Sequence, residues 1–367
     1  MRKRLETMKI LAVSGASGGH IFPAAALLER VTEDDPRAVT LLVLPRKHAA
    51  CKSGAFAVPV SYVCLSNISA SLTASNLLRI LRSFKGLLQS LRVVARFHPD
   101  VVVGFGSLVS IPVVFWGWLL RCRIVLHEQN VVPGRATRFL ARFADRIAVT
   151  FAQTVPLLGA YRDKAAVTGN PLRKRMRVID RDQARAFFGL PAEGATLLVM
   201  GGSQGSQSIN TGAAKALAGC AQSVRFQVIH LAGDKDAPAV EEVYRAAGIR
   251  FRVVRFLEEM EYAYSASDLA ISRSGATTVT ELCRFRLPAI LVPYPFAGAH
   301  QQANARVLAD AGAARVIEDS RIGEELAGIL KECIGDRTVM ERMRRGFDHC
   351  PSADSAEALM RVVYETV

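Results

Sequence analysis

The sequence predicts an α/β protein of two Rossmann-like domains, each built on a parallel sheet, with a cleft between them. Three observations predict this class. Strand-like apolar runs alternate with helical patterns along all 367 residues. Hydrophobic residues make up 50% and charged residues 22% of the chain, which is typical of a globular protein. The first strand of each half ends in a glycine-rich turn, at 15–20 and at 201–206, which indicates a loose internal repeat.

The individual strands follow from short apolar runs bounded by turn residues. In the first half we predict strands at Lys9–Ser14, Val39–Leu44, Val101–Val103, Ile124–Leu126 and Arg146–Val149. In the second half we predict them at Thr196–Met200, Gln227–Leu231, Arg252–Arg255, Leu269–Ile271 and Ala289–Val292. We place the domain boundary at Gly169–Arg173, which gives a first domain of 1–170 and a second of 171–351. The last helix, about 352–367, is expected to return to the first domain.

The stretch Val101–Leu120 carries no charge and is long enough to span a bilayer. It also contains three glycines and Pro112, and the strand Ile124–Leu126 follows soon after it. A buried strand, a glycine turn and a helix with the proline in its first turn account better for this composition.

The charge of the chain is concentrated in its first half. Residues 1–170 hold 22 Lys and Arg against 9 Asp and Glu, and 171–367 hold 25 against 24. A predicted helix, Asn76–Phe97, carries five basic residues and no acid beside a leucine-rich face. These features favour docking on an anionic membrane surface, although a core helix with a basic outer face is the simpler alternative. The sequence has no helix-turn-helix, RNP or zinc-finger pattern, so we predict no nucleic-acid partner.

No metal site and no cofactor is predicted. The seven cysteines are scattered and form no CxxC pair, as expected of free thiols in a reducing compartment. Asp234-Lys-Asp236 resembles the DxD of metal-dependent glycosyltransferases, but we interpret it as solvated loop charge.

The segment from Ser272 to Asn304 has the order of groups expected of a nucleotide-sugar site. A small-residue turn opens a helix near Ala276, and the amides of a first helical turn suit a diphosphate. Glu281 follows about a turn and a half later, where its carboxylate suits ribose hydroxyls. Gln301 and Asn304 lie three apart on the next helix, with amides suited to sugar hydroxyls. The alternative is an ordinary strand–turn–helix unit with polar caps.

Two polar segments in the first half point to catalysis. His20 ends the first glycine turn, with Ser17 nearby, and an imidazole there is suited to act as a general base. A capping or packing histidine is the alternative. His127-Glu-Gln-Asn130 directly follows a predicted strand, where Glu128 is placed to orient an imidazole or to act as a base. A polar network that only lines the cleft is the alternative for this segment.

Taken together, these segments resemble the MurG family, bacterial N-acetylglucosaminyltransferases that convert lipid I to lipid II in peptidoglycan synthesis. The motifs appear in order along nearly the whole chain: GASGGHIFP at 15–23, GFGS at 104–107, HEQN at 127–130, GNPLR at 169–173, GGSQG at 201–205, SGATTVTE at 274–281 and HQQAN at 300–304. The resemblance implies a GT-B fold, UDP-GlcNAc as donor, lipid I as acceptor, and inversion at the anomeric carbon without an essential metal. It also implies a peripheral protein on the cytoplasmic face of the plasma membrane, with a place in cell-wall synthesis, cell shape and division, and a possible wall-synthesis complex as partner.

The resemblance assigns roles residue by residue. His20 is the expected base and Glu128 the second candidate. The residues implied in UDP-GlcNAc binding are Ser17, Gly18, Gly19, Asn130, Arg173, Ser203, Leu257, Ala276, Thr277, Thr278, Val279, Thr280, Glu281 and Gln301. Those implied in holding the acceptor diphosphate are Gly104, Gly106 and Ser107.

The chain departs from the family pattern at two loops. The family usually has Gly-Gly-Thr-Gly-Gly-His, and here Ala16 and Ser17 take the second and third positions. The family usually has Gly-Phe-Gly-Gly-Tyr, and here Ser107 and Leu108 end that loop. Another glycolipid glycosyltransferase or a UDP-sugar epimerase of the same fold remains an alternative function, as does a non-catalytic nucleotide-sugar-binding subunit.

Overall fold

The computed structural model describes residues 7–15, 17–46, 56–64, 74–202, 205–297, 299–350 and 355–367; for 74–83 and 349 only the backbone is described. The chain divides into two compact units. The first contains residues 1–173 and 354–367, and the second contains 174–353.

The first unit is built on a parallel seven-stranded sheet in the order β3-β2-β1-β4-β5-β6-β7. Its strands are β1 (Lys9–Val13), β2 (Val39–Pro45), β3 (Val60–Val63), β4 (Val101–Gly104), β5 (Arg123–Glu128), β6 (Arg146–Val149) and β7 (Ala165–Val167). Its helices before residue 173 are α1 (Gly18–Asp34), α2 (Ala74–Phe97), α3 (Ser110–Leu119) and α4 (Arg135–Leu140), followed by a 3-10 segment at Ala152–Lys164. Leu11 of β1 pairs with both Leu41 and Val102, which places β1 at the centre. The strand order reverses between β1 and β4, which places the loops after these two strands at the switch point where α/β proteins bind ligands.

The second unit repeats this arrangement with a parallel six-stranded sheet in the order β10-β9-β8-β11-β12-β13. Its strands are β8 (Ala195–Met200), β9 (Phe226–Leu231), β10 (Arg250–Val254), β11 (Leu269–Ser272), β12 (Ala289–Leu291) and β13 (Ala314–Val316). Its helices are α5 (Arg181–Phe187), α6 (Gln207–Cys220), α7 (Gly233–Ala246), α8 (Met260–Ala266), α9 (Ala276–Phe285), α10 (His300–Asp310), α11 (Ile322–Gly335) and α12 (Arg337–Gly346). The order again reverses between β8 and β11. The predicted class, two Rossmann-like parallel-sheet domains, is confirmed.

The last helix, α13 (Ala356–Glu365), belongs to the first unit and packs against α1. Leu359 and Val363 are fully buried in the same apolar cluster as Leu28 of α1. Burying a side chain of this size contributes about 1.5–3 kcal/mol. The first unit is therefore completed by a segment that follows the whole of the second unit in the chain.

The ten predicted strands are all present, and the structure adds β3, β7 and β13. These three have only three or four residues and lie at sheet edges, where few side chains are buried on both faces, so no long apolar run marks them. The predicted end of β5 at Leu126 was wrong. The strand continues through His127 and Glu128, which pair with β6, because hydrogen bonds satisfy both buried side chains.

The uncharged stretch Val101–Leu120 forms β4, a turn and the ten-residue helix α3, as predicted. Among the described residues, no helix has both the length and the hydropathy needed to cross a bilayer. Asp234 and Asp236 lie in the first turn of α7 and not in a loop, which corrects our interpretation. A carboxylate is stabilised there by the helix dipole, and Asp236 also accepts a hydrogen bond from Asn210 Nδ2 at 2.8 Å.

Candidate active-site loops

In the first unit, the loops after β1 and β4 meet at His20. A Cβ atom on Gly15 would lie 2.5 Å from the Cβ of Ser107, so only glycine allows the loops to approach this closely. A Cβ atom on Gly106 would lie 3.6 Å from His20 Cε1. Ser17 is the N-cap residue of α1, and its carbonyl accepts a hydrogen bond from the His20 amide. His20 is therefore in the first turn of a helix, beside the predicted acceptor loop.

The imidazole of His20 is held by a chain of hydrogen bonds through the β5 segment. His20 Nδ1 lies 2.8 Å from Gln129 Oε1, and Gln129 Nε2 lies 3.0 Å from His127 Nδ1 and 3.1 Å from the His127 carbonyl. His127 Nε2 lies 2.9 Å from the carbonyl of Gly169. Three hydrogen bonds in series therefore join His20 to the main chain of the GNPLR segment.

The two main-chain carbonyls fix the direction of this chain. Both can only accept, so His127 donates from Nε2 and Gln129 donates from Nε2. His127 Nδ1 then accepts, Gln129 Oε1 accepts, and His20 donates from Nδ1. In a neutral imidazole the other nitrogen carries the lone pair. His20 Nε2 is thereby the basic atom.

Burial lowers the pKa of His127 to about 4, while the Gly169 carbonyl opposes this shift and the nearby His20 adds to it. His127 is fully buried, with its ring 5.1 Å from that of Phe105. A histidine with this pKa is neutral at physiological pH, which is the state that the hydrogen-bond chain requires.

Glu128 is buried and accepts hydrogen bonds at both carboxylate oxygens. Oε1 accepts from the Asn130 amide at 3.0 Å and from Asn130 Nδ2 at 3.3 Å, and Oε2 accepts from the Gly134 amide at 2.9 Å. Gly134 is the N-cap residue of α4. Glu128 thus holds the β5–α4 loop and orients the side chain of Asn130, a predicted sugar ligand.

The predicted acceptor loop has an unusual backbone. Gly106 has φ +74° and Ser107 has φ +68°, so two consecutive residues occupy the left-handed region, and one of them is not glycine. Phe105 anchors the loop in the core, and Ser110 Oγ donates to the Gly106 carbonyl. A side chain with positive φ costs about 1–2 kcal/mol, and Ser107 carries this cost at the position where the family has glycine.

Arg173 is positioned from within the first unit. Its guanidinium carbon lies 4.1 Å from the centre of the Phe22 ring in α1, close to the turn that carries His20. Stacking on an aromatic face orients the guanidinium without neutralising its charge.

In the second unit, α9 follows β11, and Ser274 in the turn before α9 contacts the start of α10. Ser274 Oγ donates to the Gln301 carbonyl at 2.8 Å, and Asn304 Nδ2 donates to the Ser274 carbonyl at 3.2 Å. Gln301 Oε1 accepts from the Tyr294 amide at 2.9 Å. The buried Asn304 therefore holds α10 against the turn that precedes α9, a structural role beside the one we predicted for it.

The predicted donor residues of α9 divide by their exposure. The side chains of Thr277, Thr278 and Glu281 are partly exposed. Those of Ala276, Val279 and Thr280 are buried, and Thr280 Oγ1 donates to the Ala276 carbonyl. Contacts from these three to a ligand would have to come from main-chain atoms.

Glu281 is held by a partner that the sequence did not reveal. Tyr264 of α8 donates from its hydroxyl to Glu281 Oε2 at 2.7 Å, and the Tyr264 ring stacks on Phe285. Tyr264 is buried. This contact fixes one carboxylate oxygen and the rotamer of the side chain.

Arg273 is a second residue that the sequence analysis missed. It is 8% exposed and donates to Ser206 Oγ at 2.7 Å and Ser208 Oγ at 2.8 Å, beside the second glycine turn. It also donates to the Val292 carbonyl at 3.1 Å and forms an ion pair with Asp319. One guanidinium therefore joins the loops that follow β8, β12 and β13.

The second glycine turn begins at Gly201, which is required because a Cβ atom there would lie 2.3 Å from the Ser206 amide nitrogen. Two further predicted donor residues lie in the second unit. Leu257 is partly exposed in the loop between β10 and α8. Ser203 lies outside the described residues. No group of three or more potential metal ligands occurs among the residues that the structure describes.

Comparison with known proteins shows which family the chain belongs to. The glycosyltransferase family 28 N-terminal domain matches residues 10–149, and the family 28 C-terminal domain matches 196–359. A relative from Salinibacter ruber is 36% identical over 96% of this chain and 95% of its own length. It is named UDP-N-acetylglucosamine--N-acetylmuramyl-(pentapeptide) pyrophosphoryl-undecaprenol N-acetylglucosamine transferase. The chain belongs to the MurG family. It is a glycosyltransferase, and its fold is GT-B.

Solved structures agree with this assignment. MurG from Acinetobacter baumannii has a TM-score of 0.76 and 26% identity, over 98% of this chain and 100% of its own. A putative UDP-N-acetylglucosamine 2-epimerase from Listeria monocytogenes reaches a TM-score of 0.70 at 13% identity, over 97% and 95%. At 13% identity, the similarity to the epimerase concerns the fold alone. The 36% identity to the N-acetylglucosamine transferase therefore favours the MurG family over the epimerase alternative.

Proposed function

We propose that the protein transfers N-acetylglucosamine from UDP-GlcNAc to undecaprenyl-diphospho-muramoylpentapeptide (lipid I) and so forms lipid II of peptidoglycan. The observation that carries this proposal is the orientation of His20. Its Nδ1–H is committed to Gln129 Oε1 at 2.8 Å, so Nε2 is available to take a proton from an acceptor hydroxyl. Family membership supplies the identity of donor and acceptor.

In the proposed reaction, His20 Nε2 removes the proton from the muramyl hydroxyl as that oxygen attacks the anomeric carbon. The bond between this carbon and the UDP oxygen breaks, and attack from the opposite side inverts the configuration. Glu128 is the weaker candidate for the base, because both of its oxygens already accept main-chain hydrogen bonds.

The leaving diphosphate gains negative charge during this step. We assign its stabilisation to the first turn of α9, where helix amides and the helix dipole favour an anion, and to the guanidinium of Arg173. Glu281, oriented by Tyr264, is assigned to the ribose hydroxyls, and Asn130 and Gln301 to the sugar. Since these groups supply the positive charge, we expect EDTA to leave the rate unchanged.

Membrane docking is assigned to an exposed aromatic and basic surface of the first unit. Trp118 of α3 is 45% exposed, and its ring centre lies 4.8 Å from that of Phe143 in a tilted arrangement. Phe139 of α4 is 42% exposed, with the Arg142 guanidinium over its ring. Phe84 of α2 is 60% exposed. Aromatic side chains beside arginines suit the interface of an anionic bilayer. We therefore place the protein peripherally at the cytoplasmic face of the plasma membrane, where lipid I is available.

The transfer assay uses radiolabelled UDP-GlcNAc and a short-chain lipid I analogue. Formation of labelled disaccharide-lipid is expected, and bound UDP without product would contradict the proposal. His20→Ala should lower kcat by about two to four powers of ten with donor affinity retained, and His98→Asn at an exposed site is the control. Near-normal turnover of His20→Ala would exclude it as the base. Glu281→Ala should weaken UDP binding, and unchanged affinity would contradict its ribose role.

The docking surface is tested by flotation with vesicles that contain or lack anionic lipid. Trp118→Ser with Phe139→Ser should reduce recovery on anionic vesicles and leave transfer to a water-soluble acceptor unchanged. Phe187→Ser removes an aromatic residue of similar exposure from the second unit and is the matched control. Equal loss in both proteins would contradict the assignment.

A further inference from the structure

Gln129 is the residue between the proposed base and the buried His127. It is 2% exposed, and its amide is used at both ends: Oε1 accepts from His20, and Nε2 contacts His127 Nδ1 and the His127 carbonyl. An amide group has a fixed polarity, with an acceptor on one side and a donor on the other. Its orientation therefore decides which nitrogen of His20 carries the proton.

We infer that Gln129 is a positioning residue that keeps neutral His20 in the Nδ1–H tautomer. The His127 main-chain carbonyl fixes the direction of the Gln129 amide, and the His127 ring, held by the Gly169 carbonyl, supports it. This inference rests on the proposed role of His20 as the base.

The opposite orientation of the amide is unfavourable at two contacts. If Gln129 were rotated by 180°, its Oε1 would face the His127 carbonyl at 3.1 Å, placing two acceptors together. His127 would then have to donate from Nδ1, and its Nε2 lone pair would face the Gly169 carbonyl at 2.9 Å. Protonating His127 at both nitrogens would relieve only the second conflict, and its pKa of about 4 opposes this at neutral pH. An unpaired buried polar group costs about 1–3 kcal/mol, so the observed orientation is strongly preferred.

The tautomer matters because only one nitrogen of a neutral imidazole can accept a proton. With Nδ1–H held by Gln129, Nε2 is the base. With the proton on Nε2, the same ring presents a donor to the acceptor hydroxyl and cannot deprotonate it. Loss of tautomer control in a catalytic histidine can cost up to about 10⁴ in rate. Gln129 differs in kind from the carboxylate that orients histidine in hydrolase triads: it is neutral, so it selects the tautomer without stabilising the imidazolium by charge.

The direct test is the tautomer itself, read by nitrogen-15 NMR of the two ring nitrogens in protein labelled at histidine, at about pH 8. His20 is expected to show a protonated Nδ1 and a bare Nε2, and His127 the reverse. The signals are assigned with His20→Asn and His127→Phe. A His20 signal with the proton on Nε2 in the native protein would overturn the inference, whether or not the protein transfers sugar.

The kinetic test is Gln129→Met, which keeps the length of the side chain and removes both polar atoms. We expect the His20 tautomers to mix and kcat to fall about 100-fold, with the KM for UDP-GlcNAc changed less than about twofold. Gln153→Met, at an exposed position of the same unit, is the control. A folded Gln129→Met protein with native kcat and an unmixed tautomer would overturn the inference.

A second variant covers the case in which Gln129→Met does not fold. His127→Phe leaves Gln129 Nε2 with the main-chain carbonyl of residue 127, so the amide retains its direction and the His20 tautomer should be kept. We expect a loss of kcat smaller than about tenfold. A mixed His20 tautomer in a folded protein that retains kcat would contradict the inference. A protein that shows the expected tautomers but no transfer would contradict the proposed function alone.

Discussion

The buried histidine of the first unit predicts how the stability of that unit depends on pH. His127 has a pKa of about 4 in the folded protein because burial disfavours its charged form, against an ordinary value of 6.5. The unfolded state therefore binds the proton more tightly than the folded state. His127 costs no stability above pH 6.5, and stability is lost as the pH falls from 6.5 towards 4.

The magnitude follows from this difference in pKa. Each unit of pKa difference corresponds to about 1.36 kcal/mol. Between pH 8 and pH 5, linkage predicts that His127 alone lowers the free energy of unfolding by about 2 kcal/mol. The full difference of about 3.4 kcal/mol is reached only below pH 4.

The assay is urea unfolding followed by tryptophan fluorescence. The chain has two tryptophans, Trp116 and Trp118, and both lie in the first unit, so the signal follows that unit. The contribution of all other titrating groups cancels when the native protein is compared with His127→Phe. This variant keeps an aromatic ring beside Phe105 but has no titrating group at residue 127. The native protein should lose about 2 kcal/mol more than the variant between pH 8 and pH 5. Parallel stability curves for the two proteins over this range would refute the reasoning.

Three further predictions concern other parts of the molecule. Arg273→Lys keeps the positive charge but loses the guanidinium that joins three loops. We therefore expect the second unit to lose about 2–3 kcal/mol of stability in thermal unfolding and the affinity for UDP to fall about tenfold in calorimetry. An unchanged melting temperature would contradict this prediction. Ser107→Gly removes a side chain from a residue whose backbone has φ +68°. The free energy of unfolding of the first unit should rise by up to about 1 kcal/mol. A decrease would indicate instead that the Ser107 side chain stabilises the loop. The pKa of the Cys350 thiol is lowered by its hydrogen bond with Cys283, and Arg286 lowers it further, while the pKa of Cys283 is raised by the same bond and by burial. Cys350 should therefore be alkylated before Cys283 as the pH is raised, as read by peptide mass spectrometry; the reverse order would contradict this assignment.

The sequence predicted the central strands well because a strand buried on both faces must be almost entirely apolar. β1 and β8 show this, since β1 begins at the predicted residue, β8 begins one residue earlier than predicted, and both lead into glycine turns. The sequence did not predict β7 or β13, which have three residues each, one of them exposed. The predicted end of β5 was two residues too early, because the polar residues His127 and Glu128 were interpreted as lying outside the strand. His127 remains in the strand since its hydrogen bonds are satisfied inside the protein.

The candidate site was predictable where a motif is local and was not predictable where distant segments meet. The glycine turn with His20 and the start of α9 each lie within one short segment. The contact between His20 and Gln129 joins residues 109 positions apart, and Arg273 reaches Asp319 over 46 positions. Nothing in the sequence singled out Arg273, whose partners lie in three other loops. Its burial depends on which loops the parallel sheet brings to one edge, and periodicity does not encode that.

The packing of α13 on α1 has a consequence for how the chain is made. About 180 residues of the second unit are synthesised after residue 173 and before this helix. At roughly 5–20 residues per second, about 10 to 40 s pass between the synthesis of the first unit and that of α13. During this time the face of α1 around Leu28 is not covered by α13. The second unit can fold during that interval, while the first unit keeps an apolar surface open. Loss of the last helix should therefore damage the half of the protein that is translated first.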